Sequence, residues 1–402
     1  MPSACPFHHA TAPEHRADPY PLFAELPKAA VRLEDGRYLV TRYEDVVALL
    51  HDPRVSSAAQ EGEGGYVNTS ERINLLQLDP PDHDRVRRII MRQFGPPERT
   101  HLVHDLEDEM VRIADALLDD MAGHNEAELV TSYAYRLPVA IICKLFGVPE
   151  TLEAQFRDLV DVIVTGAGVM PRPPEVAEAQ KKLGMLLLGI ARERRGQGGD
   201  DILSGLIGDD GPEGGLSEPS IAAMAVLLLV AGHETTVNLI GNGLLTLLNR
   251  PEEIERLRRD PDRAIGLVEE LLRFEPPIQF MQNRVTVAPV EVGEVTIPAG
   301  CRVVLLLAAA NRDPARFADP DRFDPERTGN EHLGFGSGIH SCFGAALARM
   351  EGQVALQRFF ARVENPVLAA PPVYRPSPLL RGPLELHVSY DAIRQAGKEG
   401  TQ

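Results

Sequence analysis

Four groups of side chains in this 402-residue chain sit at spacings that could do chemistry. Cys342 closes the loop Phe335-Gly336-Ser337-Gly338-Ile339-His340-Ser341, and a helical run from Ala345 to Met350 follows Gly344. A cysteine where a glycine-rich loop enters a helix meets unpaired N–H groups and the positive end of the helix dipole, and both favour a thiolate. A thiolate with so little bulk around it suits an axial ligand to a large flat cofactor. The alternative is a small buried hydrophobe, the common fate of a free cysteine. Ala231-Gly232-His233-Glu234-Thr235-Thr236 puts an acid and two hydroxyls into an apolar helical stretch. Burying a carboxylate is costly, so Glu234 is expected to meet a structural partner or, with Thr235, to move protons. His83 and Arg87, one helical turn apart behind Asp79-Pro80-Pro81, form either a grip for a carboxylate or phosphate or a solvated face. Glu270 and Arg273 can pair on one helix face, a contact of little weight if exposed.

The elements that must position these groups are mainly helical, with a minor β region. Ser217-Glu218-Pro219 supplies a cap and an early proline for a helix running to about Asn249. Its first half is apolar all round, so it is expected to be buried and central. Amphipathic helices are expected over Glu44 to His51, Leu106 to Met121 and Ala134 to Phe146. The β region comprises a hairpin about Glu34-Asp35-Gly36, a strand starting at Arg284, one strand from Val292 to Ile297, another over Val303 to Leu307, and strand material at Leu384 to Val388. Residues 55–78 and the Gly/Pro-dense break at 166–174 read as long loops, which in a compact domain usually serve function. Residues 1–14 read as a flexible leader, 15–390 as one domain and 391–402 as a tail.

Net charge is −18 with no basic domain, which argues against nucleic acid as a partner. The four cysteines, at 5, 143, 301 and 342, show neither paired nor metal-ligand spacing, as expected in a reducing compartment. No signal-peptide pattern opens the sequence, and its longest apolar run, Ile221 to Ala231, is too short for a bilayer. A cytoplasmic monomer without membrane contact is expected.

Taken in order, Asp-Pro-Pro-x-His-x-x-x-Arg at 79–87, Ala-Gly-x-Glu-Thr at 231–235, Glu-x-x-Arg at 270–273 and Phe-Gly-x-Gly-x-His-x-Cys-x-Gly at 335–344 resemble the motifs of the cytochrome P-450 superfamily. The resemblance covers about residues 15–390 and is strongest to soluble bacterial members. It implies a triangular prism of helices with a long central helix, small sheets, and haem b as cofactor. Cys342 would ligate the iron, Phe335 would shield it, and Gly336, Gly344 and Ala231 would lie against the haem. His83, Arg87, Arg284 and His340 would take its propionates, and Glu234 and Thr235 would deliver protons to dioxygen. Glu270 and Arg273, joined by Arg322, would form a structural ion cluster. Ile278, Gln279, Phe280, Met281 and Leu380 would face substrate.

The implied reaction inserts one oxygen atom of O2 into a medium-to-large apolar molecule such as a polyketide, terpenoid or steroid. Electrons would pass from NAD(P)H through a reductase and a ferredoxin that docks on Arg85, Arg88 and Arg92. Peroxide-driven oxygenation is the alternative within enzymes, although such members typically lack the acid–alcohol pair. A haem carrier or sensor without turnover is the alternative outside them.

Overall fold

The chain is built around one helix, Glu218–Leu248. The computed structural model describes residues 5–58, 73–94, 106–165, 173–197, 199–209, 211–212 and 214–396. Ser217 caps this helix by accepting the Ser220 N–H, and Pro219 lies in the first turn, where a missing N–H is harmless. Ile221, Met224, Ala225, Leu228 and Leu229 bury its first half, and every residue from Thr236 to Leu247 is buried. Each large aliphatic side chain so placed contributes roughly 1.5–3 kcal/mol. By length and composition the helix could cross a membrane. In this fold it is the core, with helices Arg136–Leu145, Pro174–Arg194, Ala264–Phe274 and Ala345–Arg362 packed around it.

The largest sheet has five strands in the order Val31–Arg32, Tyr38–Val40, Arg302–Leu305, Met281–Thr286, Val55–Ser56. The expected hairpin at Glu34-Asp35-Gly36 is present, with Val31 opposite Leu39. Three late elements differ from the sequence expectation. Val292 to Ile297 is a hairpin of Val290–Val292 and Val295–Ile297, because Gly293 turns the chain at φ +58°. The strand expected from Arg284 begins at Met281 and shifts register between those two residues. Leu307 leaves its strand and opens a short helix, Leu307–Ala310.

The ends are also more ordered than expected. Pro6–Ala10 form a helical turn whose Phe7 is buried edge-on to Phe280, with ring centroids 5.4 Å apart, so residues 5–14 are not a loose leader. Ala392–Ile393 pair with Val363–Glu364, which carries the fold past residue 390. Of the two expected loops, 59–72 and 166–172 lie outside the described residues.

One buried acid makes the fold sensitive to pH. Glu351, on the helix Ala345–Arg362, is 3% exposed and its Oε2 has no hydrogen-bond partner among the described residues. Burial pushes its carboxyl from 4.5 up to about 8. Between those values the folded protein holds a proton that the unfolded chain releases, so stability falls as pH rises through that window. Glu351→Gln is expected to gain about 2–4 kcal/mol at the alkaline end and to flatten the dependence, read by urea unfolding at several pH values. A pH dependence identical to that of the parent protein would show that the carboxyl is solvated.

Candidate active site

The loop 335–344 is held by its glycines and by its own backbone. Gly338 has φ +71°, and a Cβ there would stand 2.3 Å from the Leu50 carbonyl oxygen, so glycine lets the loop lie against the helix Tyr43–His51. The Cys342 N–H donates to the Phe335 carbonyl at 2.9 Å and closes the loop. The side chain of Cys342 is exposed to a cavity inside the protein rather than to bulk solvent. Burial pushes its thiol above the ordinary cysteine range, opposed by the Gly344 N–H and by the Arg87 and Arg349 guanidinium groups. The helix N-terminus alone therefore does not make Cys342 a thiolate. A bound cation would, because coordination displaces the thiol proton. Arg349 lies 4.6 Å over the Phe335 ring and pairs at 2.5 Å with Glu269, which also meets His332 Nε2 at 3.1 Å.

Across the cavity stands one face of the central helix. Leu228, Ala231, Gly232, Thr235, Thr236 and Leu239 line it at the three-and-four spacing of a helical stripe. The Thr235 hydroxyl donates to the Ala231 carbonyl at 2.8 Å, and that of Thr236 donates to the Gly232 carbonyl at 2.8 Å. Each hydroxyl oxygen keeps lone pairs with which to accept. Glu234 is one residue from Thr235 and so about 100° round the helix. Its carboxylate is 3% exposed, does not line this cavity, and meets the Arg375 guanidinium at 3.0 Å. Burial pushes the Glu234 carboxyl above the usual carboxylate range, against the pull of Arg375 and Asn238. The acid and the alcohol therefore face different ways in this structure.

At the edge of the cavity the four residues expected to bind carboxylates converge. The His83 and His340 rings meet edge-on with centroids 4.5 Å apart, and the Nε2 of each is buried without a hydrogen-bond partner among the described residues. Arg87 donates to the Ser341 carbonyl at 2.9 Å and Arg284 to the Asn283 carbonyl at 2.8 Å, both neutral acceptors. Burial lowers both guanidinium groups from their ordinary value. His340 is lowered to about 3, first by burial and then by Arg284 and His83, with Asp79 opposing. Asp79 is itself engaged by the Ser56 hydroxyl and the Ser57 N–H. Two unpartnered imidazole nitrogens and two desolvated guanidinium groups are the donor set that a pair of carboxylates needs. Together with the Cys342 thiol and the glycine edges at 336 and 344, they fit a haem carrying two propionates.

Several expected positions need correction. Of the five residues assigned to substrate, Ile278 and Met281 line the cavity. Gln279 is fully buried and donates to the Pro276 carbonyl at 2.7 Å, and Phe280 packs on Phe7. Leu380 is bridged to Ile278 and buried outside the cavity wall. Strict alternation would put Ile278 and Phe280 on one face, but regular strand begins only at Met281 and Ile278 makes an isolated bridge to Leu380, so that count does not apply here.

The ion cluster is real but its third cation is not Arg322. Glu270 and Arg273 pair at 2.6 Å with both side chains at 0% exposure. The Arg322 carbonyl accepts from Arg273 at 3.1 Å, while its guanidinium runs outward, 69% exposed, toward Asp324. Arg327, 8% exposed, reaches Glu270 at 3.4 Å instead. Of the three arginines expected to dock a ferredoxin, Arg92 pairs with Asp209 at 2.8 Å, Arg85 donates to the Gly215 carbonyl, and Arg88 is exposed. Sequence reasoning missed Arg327 and Arg375, which lie outside helices and strands and carry no periodic signal, and Arg349, one of several charged residues on the helix Ala345–Arg362.

The sequence profile of the cytochrome P-450 family matches residues 179–367. The cytochrome P-450 monooxygenase PikC of Streptomyces venezuelae is 38% identical over 97% of this chain and 95% of its own. Vitamin D(3) 25-hydroxylase of Pseudonocardia autotrophica is 39% identical, covering 91% of this chain and 92% of its own. Among solved structures, the bacillaene polyketide synthase cytochrome P-450 PksS of Bacillus subtilis superposes with a TM-score of 0.85 at 31% identity, over 95% of this chain and 99% of that one.

Proposed function

This chain belongs to the cytochrome P-450 family and is a monooxygenase, and from that premise we propose how its residues divide the work. The family uses haem and O2 and takes small-molecule substrates together with redox partners. Bound haem supplies the reductive activation of O2. Cys342 holds its iron, and Phe335, clamped under Arg349, screens the thiolate from water. His83, Arg87, Arg284 and His340 hold the two propionates. Thr235, exposed to the cavity, orders water there and passes protons. Glu234, whose carboxyl burial pushes up, carries a proton nearer to neutral pH than a solvated glutamate would.

The observation that carries this reading is one cavity lined by both Cys342 and Thr235, with Arg87 and His340 on its wall and His83 and Arg284 beside His340. Walls such as Leu75, Ile142, Leu228, Leu239, Ile278 and Met281 suit a medium or large apolar substrate. Vitamin D(3) and polyketides, named for two relatives, are of that kind. Electrons come from NAD(P)H by way of a ferredoxin and its reductase, with Arg88 on the exposed face of the helix Asp82–Phe94 as one docking contact. The protein works as a cytoplasmic monomer of one domain.

The test is turnover of a steroid or macrolide panel by the reconstituted holoenzyme. Thr235→Ala is expected to keep the binding spectra and the consumption of reductant, while product per electron falls about tenfold or more and peroxide rises. Unchanged coupling would take Thr235 out of proton delivery.

A further inference from the structure

A second cavity is bounded in part by Arg375, the partner of Glu234. Its walls come from the helix Glu107–Met121, the π-helical turn Val130–Ala134, the helices Arg136–Leu145 and Glu150–Thr165, and the chain around Arg375 and Leu384. It encloses about 670 Å³, a size usual for small-molecule sites. The helix Arg136–Leu145 is a partition: Ile142 and Leu145 face the first cavity, while Val139, Ala140 and Cys143 face the second. Ile113, Leu117 and the partly solvent-exposed Leu384 add to the apolar lining of the second.

Arg375 bounds this space beside Glu234. The two meet at 3.0 Å, yet neither Glu234 oxygen nor Arg375 Nε has an aligned hydrogen bond among the described residues. The contact is therefore Coulombic, between a carboxyl that burial pushes toward its neutral form and a guanidinium with donors to spare. Most other charged groups of the cavity have partners of their own, several of them within its wall. Arg112 pairs with Glu109 at 2.6 Å and Arg136 with Asp120 at 3.0 Å. The Tyr135 hydroxyl donates to Asp161, and Glu153 and Arg157 stand on the wall formed by the helix Glu150–Thr165.

We propose that the second cavity binds an amphipathic monocarboxylate, whose head group engages Arg375 in competition with Glu234 and whose apolar body lies along the wall from Ile113 to Leu384. A planar carboxylate matches the guanidinium fork in two parallel hydrogen bonds, which the Glu234 side chain does not achieve. A dianionic phosphate would instead meet the carboxylates of Asp120 and Glu153 in the same space. The ligand's effect on the reaction rests on the reading of Glu234 given above: an occupied site releases Glu234 from Arg375 and leaves it free to serve Thr235.

The experiment uses holoenzyme whose first cavity is blocked by clotrimazole, an azole that ligates the iron, and titrates phenylbutyrate by calorimetry. One saturable site is expected. Arg375→Gln should weaken it about tenfold or more, the loss of a charge-assisted pair. Glu234→Gln should tighten it severalfold, because the competing carboxylate is gone. Leu384→Trp should block it while leaving the azole spectrum intact, which also guards against misfolding of the arginine variant. Binding that clotrimazole abolishes, or an affinity indifferent to both Arg375→Gln and Leu384→Trp, overturns the site. If phenylbutyrate binds as described but leaves the peroxide released per electron unchanged in azole-free holoenzyme turning over substrate, the site stands and the role of Glu234 as proton source falls.

Discussion

Cys342→Ser is expected to leave a protein that folds and still retains haem but no longer turns over substrate. Serine keeps the size of the side chain and the backbone bond from the Cys342 N–H to the Phe335 carbonyl. It removes the sulfur that becomes an anion when a metal displaces its proton. The thiol is already held above its ordinary range by burial, with Gly344, Arg87 and Arg349 pulling the other way. An alcohol, far less acidic, has no comparable route to an anion at the same position. Haem retention should persist because the contacts of His83, Arg87, Arg284 and His340 are independent of the sulfur. The check is absorbance of the reduced protein under carbon monoxide. The red-shifted band from which the family takes its name should be lost in the variant, together with product formation. A variant that kept that band would place the iron ligand elsewhere.

Arg273→Leu is expected to be the most damaging change to the fold. The Arg273 guanidinium is at 0% exposure and donates to Glu270 at 2.8 and 2.6 Å, and also to the carbonyls of Asn311, Pro320 and Arg322. Removing one member of a buried pair strands the other charge and costs about 3–5 kcal/mol, and here three carbonyls lose a donor as well. A domain is stable by only about 5–15 kcal/mol, so little folded holoprotein should accumulate at physiological temperature. Two milder variants isolate the cause. Arg327→Ala removes a cation that is 8% exposed beside Glu270 and should lower the urea midpoint clearly. Arg322→Ala removes a guanidinium that is 69% exposed and should change stability by no more than about 0.5 kcal/mol. Equal effects from the two would return Arg322 to the cluster.

The residues that make the site were legible because their types are rare in their surroundings. A cysteine among glycines, an acid in an apolar helix and a histidine behind two prolines each break a local rule, and the structure brings Cys342, His83, Arg87, Arg284 and His340 together. The central helix was legible from its cap and its apolar first half. What periodicity does not carry is the identity of the partner. Glu234 and Thr235 are adjacent in sequence, yet Thr235 lines the cavity with Cys342 while Glu234 turns to Arg375, because one step along a helix turns the side chain by about 100°. Arg322 and Arg327 share a loop, and only the path of the main chain decides which presents its carbonyl and which its guanidinium to the pair. Phe280 has the apolar bulk of a cavity residue, yet it packs on the buried Phe7.

That last contact makes the amino end a remote handle on selectivity. Phe7 packs against Phe280, and Ile278, two residues before it, and Met281, directly after it, are the parts of this segment that touch the cavity. Changing the bulk of residue 7 would press on or release that wall from behind, reshaping the space for substrate while every lining residue stays as it is.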